Sequence, residues 1–116
     1  MIYIVEDDEA VRDSLSVLFE VEGLETMAFS SAQGFLDELP VAPEGCVVTD
    51  VHMAGLNGLQ LLRILKSSGR NLPVIVITGR SDKSLVAQAL AAGATAVIEK
   101  PFRADEIVAV VRAALG

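Results

Sequence analysis

The chain has 116 residues, 52% of them apolar, and a formal net charge of −7. That length suits one domain, residues 1–116, and the apolar share fills a core without disulfides or metal staples. The acidity repels a phosphate backbone, so direct nucleic-acid binding is not expected, and no apolar stretch approaches the ~20 residues that cross a bilayer.

The first apolar run, IYIV (2–5), follows Met1 directly. Nothing basic precedes it, so no signal peptide is expected and the cytoplasm is the simplest location. The run ends on Glu6-Asp7-Asp8. Val11, Leu15, Leu18 and Phe19 then fall at i, i+4, i+7 and i+8, the stripe of an amphipathic helix. Gly23 stands where a left-handed cap closes such a helix. LETMAF (24–29) is the most polar of the strand-like runs and suits a sheet edge. Residues 31–39 form a shorter helical segment that contains Gly34.

CVVTD (46–50) opens on Cys46, which reads as a small buried hydrophobe and, being the one cysteine, excludes a disulfide within the chain. The run ends on a carboxylate, Asp50. Leu59, Leu62 and Leu65 repeat every three residues before Gly69. PVIVIT (73–78) starts with a proline, which the first residue of a strand tolerates, and ends at Thr78-Gly79. Leu85, Val86, Ala89 and Leu90 make one stripe, closed by Gly93. TAVI (95–98) runs into Glu99-Lys100-Pro101, and Ile107, Val108, Val111 and Leu115 make the last stripe. Strand and helix thus alternate five times, the pattern of a parallel sheet with helices on both faces.

Ligands of such sheets bind beyond the carboxyl ends of the strands. There the first strand delivers Glu6, Asp7 and Asp8, the third Asp50, the fourth Thr78 and the fifth Lys100. Each also has an ordinary structural account. Asp8 suits a helix N-cap, Asp50 a turn, Thr78 a strand, and Lys100 a solvated charge. Taken together they share one theme, phosphate with a hard cation. Clustered carboxylates repel and need a cation, and magnesium takes oxygen ligands from one or two carboxylates, completed by water and phosphate. A carboxylate can itself be the nucleophile that forms an aspartyl phosphate. Phosphoryl transfer then needs positioning, with cations and donors aimed at the equatorial oxygens.

VEDD after the first strand, VVTDVHMAGLNG around the third, VIVITG at the fourth and EKPF after the fifth together resemble the receiver domain of two-component response regulators. The resemblance covers the whole chain, and VTDVHM, VITG and IEKPF look most like the FixJ-type branch. It implies a flavodoxin-like (βα)5 doubly wound parallel sheet with strand order 2-1-3-4-5. It also implies that Asp50 accepts the phosphoryl group, and that Asp7 coordinates magnesium directly, with manganese as a substitute. Glu6 takes the first acidic position, and the backbone carbonyl of His52 serves as a further metal ligand. Thr78 and Lys100 match the hydroxyl and the ammonium that hold the phosphoryl group, and the bond to Pro101 is cis in the family.

Three positions depart from the family pattern. Glu6 adds a methylene where Asp is usual, which can shift the metal or its waters. Ala54 stands where proline often follows Met53, which implies a looser loop. Val97 replaces the aromatic that turns inward on phosphorylation, so the output is read without a rotating ring or the switch is weaker.

The resemblance further implies a histidine kinase as phosphodonor, control of transcription, with any C-terminal effector domain absent from this chain, and an output surface on the fourth helix, fifth strand and fifth helix. That surface, with Lys83, Ala87, Ala91 and Val97, would suit a homodimer. A receiver-like interaction module that is never phosphorylated is the main alternative. A phosphatase with an aspartate nucleophile would want a second Asp two residues on, where His52 stands. A flavin carrier would want Ser, Thr and Gly after the first strand, where acids stand.

Overall fold

The chain folds as its alternating runs dictate. In the computed structural model, which describes residues 1–40, 43–79 and 83–116, the strands are β1 (Ile2–Val5), β2 (Thr26–Phe29), β3 (Cys46–Asp50), β4 (Val74–Thr78) and β5 (Ala96–Glu99). The helices between them are α1 (Glu9–Val21), α2 (Ala32–Glu38), α3 (Gly58–Ser67), α4 (Lys83–Ala91) and α5 (Ala104–Leu115). All four strand pairings are parallel and the order is β2-β1-β3-β4-β5, the flavodoxin-like order.

The period of two along each strand decides which helices cover which face. Ile2, Ile4, Cys46, Val48, Ile75, Ile77 and Ile98 meet α1 through Leu15 and Phe19, and α5 through Ile107, Val108 and Val111. Tyr3, Val5, Val47, Val74 and Val76 meet Phe35 of α2, Leu61, Leu62 and Leu65 of α3, and Ala89 of α4. Both faces of β1, β3 and β4 are therefore dry, which is why these strands are almost continuously apolar. β2 lies at the edge and is only half-buried, in keeping with its polarity.

Caps set the helix entrances. Asp8, Ser31 and Asn57 each accept a backbone N–H of the first turn, and Asn57 with Gln60 completes a capping box. Gly23, Gly69 and Gly93 adopt positive φ where the helical stripes end. β2 starts two residues later than the apolar run suggests. The N–H of Leu24 is spent on the Phe19 carbonyl at the end of α1, while Glu25 accepts from Ile2. Gly45 is required for a tighter reason. Its φ is +127°, and a side chain there would overlap the Met1 carbonyl, which the Cys46 N–H reaches at 3.1 Å. Among the described residues, no helix is long and apolar enough to cross a membrane.

Candidate functional site

The carboxyl ends of β1, β3, β4 and β5 carry the acidic and basic residues to one edge of the sheet. β3 delivers Asp50, held between the fully buried β1 and β4 and only 4% exposed. A buried carboxylate needs donors. Its Oδ1 accepts the backbone N–H of His52 at 2.8 Å, and its Oδ2 accepts the Lys100 ammonium at 2.5 Å. Lys100 comes from the turn after β5, where its bond to Pro101 is cis and its own N–H reaches the Thr78 carbonyl at 2.8 Å.

β1 delivers the acids. Glu6 is also only 4% exposed, and its N–H continues the sheet by donating to Phe29. Burial pushes its carboxyl up from 4.5 to about 7. The negative charge of Asp50 and a hydrogen bond with that carboxylate add to the rise, while the Asp8 N–H and Lys100 oppose it. Glu6 and Asp50 thus disfavour each other's charge, and the Lys100 ammonium offsets part of that. Arg12 of α1 reaches back to the Glu6 carbonyl at 3.0 Å and fixes the backbone there. Asp7 is exposed and faces the loop after β3, where its Oδ2 accepts the Ala54 N–H at 3.0 Å.

Thr78 completes the edge. It is fully buried, and its hydroxyl has no hydrogen-bond partner among the described residues. Val97, one strand over, pairs with Val76 and packs half-buried against the α2–α3–α4 side of the core.

Glu6, Asp50 and Lys100 therefore touch or couple directly. Asp7 joins them through the β3–α3 loop, and Thr78 through the Lys100 backbone. Asp8 is spent as the α1 N-cap. Among the described residues, no three His, Cys, Asp or Glu side chains are gathered closely enough to hold a metal ion by themselves. Magnesium does not require that, since one or two carboxylates and several waters suffice. The neighbouring carboxyl groups of Glu6, Asp7 and Asp50, a donor set made only of oxygen, fit a hard cation.

Four contributors have little sequence signal. The N–H groups of His52 and Ala54 belong to the backbone and carry no signature. Arg12 is one helix turn from the acids but reads as an ordinary solvent-facing arginine. Gly58 looks like loop punctuation, yet a Cβ there would collide with the Asp50 carbonyl oxygen. Only glycine lets the start of α3 lie that close, and its N–H reaches the Val51 carbonyl at 3.1 Å.

Comparison with known proteins identifies the family. Residues 2–112 match the family described as the response regulator receiver domain. The chain is 41% identical over 114 residues to the transcriptional regulatory protein FixJ of Bradyrhizobium diazoefficiens, covering 98% of this chain and 56% of that protein. It is 44% identical over 115 residues to FixJ of Azorhizobium caulinodans, covering 99% and 54%. The crystal structure of FixJ-N superposes with a TM-score of 0.93 at 38% identity, over 98% of this chain and 91% of that one. The chain spans about half the length of the curated relatives it matches. It belongs to the response regulator receiver domain family.

Proposed function

We propose that Asp50 accepts a phosphoryl group from the phosphohistidine of a histidine kinase, and that the resulting aspartyl phosphate switches an output surface. The observation that carries this reading is the coincidence of three features. Asp50 is a buried carboxylate with each oxygen held by a donor. An ammonium already lies at its Oδ2. A fully buried hydroxyl, that of Thr78, lies at the next strand end without a hydrogen-bond partner among the described residues.

In the transfer, a carboxylate oxygen of Asp50 attacks phosphorus in line. The phosphorus–nitrogen bond breaks, and the donor imidazole leaves with its electron pair and takes a proton. The His52 N–H keeps the carboxylate oriented. Lys100 exchanges its bond to Asp50 for one to a phosphoryl oxygen and offsets the arriving charge. Thr78 gives its O–H to a second phosphoryl oxygen. Asp7, Asp50, Glu6 and the His52 carbonyl are the groups that would hold Mg2+, or Mn2+ in its place. When bound, the cation supplies charge neutralisation at the phosphoryl oxygens. Water later hydrolyses the aspartyl phosphate and resets the domain.

The modification changes the balance of two nearby conformations, and a partner selects one. The output surface is α4, β5 and α5, where a second copy of the chain could dock. The names of the FixJ relatives support control of transcription as the downstream effect, and the cytoplasm is the location this reading takes. The reading is tested by mixing the chain with Mg2+ and a small acyl phosphate and measuring intact mass. A gain of one phosphoryl group, lost in Asp50→Asn and on chelation, is expected. A native chain that stays unlabelled by both the acyl phosphate and a kinase would make it a receiver-like interaction module instead.

A further inference from the structure

The structure assigns a positioning role to the backbone N–H of Ala54: it holds the Asp7 carboxylate in place for the divalent cation and couples loading of that carboxylate to the β3–α3 loop. This rests on the proposed reading, in which Asp7 is a cation ligand.

Among the described residues, no hydrogen bond from a sequence neighbour orients the Asp7 side chain. The Asp8 N–H goes to Glu6 Oε1 at 3.3 Å, and the Val11 N–H goes to Asp8. The donor that does reach Asp7 comes from 47 residues away, when Ala54 N–H meets Oδ2 at 3.0 Å. A carboxylate has two oxygens, so a cation can take Oδ1 while Oδ2 keeps its donor. Such outer donors fix the direction of a ligand and raise its affinity.

The loop is also built to transmit the contact. It is fixed at one end by His52 N–H on Asp50 Oδ1 and at the other by Gly58 N–H on the Val51 carbonyl. Ala54 is the tie between those ends. A cleft of about 410 Å3 lies beside it, lined by Asp7, Val51, His52, Met53, Asn57 and Leu85. That gives room for the waters magnesium retains. A proline at position 54 would have no N–H to offer. The alanine that seemed to leave the loop loose is instead what allows it to be tied to the metal-side acid. By linkage, a cation that favours the oriented Asp7 must strengthen the loop contact by the same factor.

The test compares Ala54→Pro, which deletes the donor, with Ala54→Gly, which keeps it. Metal-free protein is titrated with Mg2+ by calorimetry, and with Mn2+ by electron paramagnetic resonance. Affinity should fall about tenfold in the proline variant and stay near native in the glycine variant. A proline variant that binds as tightly as native, or more tightly, overturns the inference, because the N–H would then be a bystander or a competitor. Should that variant fail to fold, hydrogen exchange of the Ala54 amide is followed by NMR in the native chain. Slower exchange at saturating Mg2+ supports the role, and unchanged or faster exchange overturns it. A native chain that binds neither cation overturns both this inference and the reading beneath it. Native binding with an unaffected proline variant overturns this inference alone.

Discussion

Replacing Thr78 by valine should make the unphosphorylated domain more stable while damaging it as a phosphoacceptor. The residue is fully buried at the end of β4, and its hydroxyl finds no partner among the described residues. A buried hydroxyl without a hydrogen bond costs about 1–3 kcal/mol. Valine keeps the β-branched shape that suits a strand and exchanges the hydroxyl for a methyl. Part of the gain is lost in fitting the larger group, so a net stabilisation of roughly 1 kcal/mol is expected. For a domain of this size that raises the thermal midpoint by about 3–5 °C. Urea and thermal unfolding of metal-free protein measure it, with the urea slope unchanged. In the same variant, phosphoryl transfer should slow by about 100-fold, the usual loss for one donor to a developing negative oxygen. A valine variant less stable than native would refute the reasoning, because the hydroxyl must then be satisfied in the resting fold.

Glu6 makes stability depend on pH in a defined direction. Its carboxyl sits at about 7 in the fold against 4.5 ordinarily, so the folded chain holds a proton that the unfolded chain has released. Its contribution is fully present below about pH 4.5 and is lost as pH rises through about 7. Metal-free Glu6→Gln should therefore lose stability less steeply over that window in urea titrations, and an unchanged slope would count against it. Gly58→Ala should destabilise by about 1–3 kcal/mol, since the added carbon must displace the Asp50 backbone; a silent substitution in thermal unfolding would show that α3 can retreat freely. Cys46 is fully buried and burial pushes its thiol up to about 11, against a weaker opposing effect of the N-terminal charge. It should resist a thiol reagent at pH 8 until urea exposes it, and prompt labelling of folded protein would contradict that placement.

Much of the fold was legible in the sequence because each strand is short, β-branched and dry on both faces. The helices show regular stripes and glycine ends, and alternation of the two elements leaves few topologies. Strand ends were less legible. Leu24 belongs to an apolar run, but closure of α1 takes its N–H. The acids, Thr78 and Lys100 were visible as candidates because a parallel sheet delivers its strand ends to one edge. Not visible were the backbone donors at His52 and Ala54 that orient Asp50 and Asp7, and the close approach at Gly58. The sequence suggested that crowded carboxylates require a cation. The metal-free fold has a second way to relieve the crowding, since Glu6, raised to about 7, takes up a proton far more readily than an ordinary carboxylate.

The central claim is that Asp50 itself carries the phosphoryl group. The direct measurement is borohydride trapping, which reduces an aspartyl phosphate to homoserine, followed by peptide mass spectrometry of protein treated with Mg2+ and an acyl phosphate. Homoserine at position 50 and at no other aspartate is the predicted result. Trapping at Asp7 or Asp8, or undiminished labelling of Asp50→Asn, would contradict it.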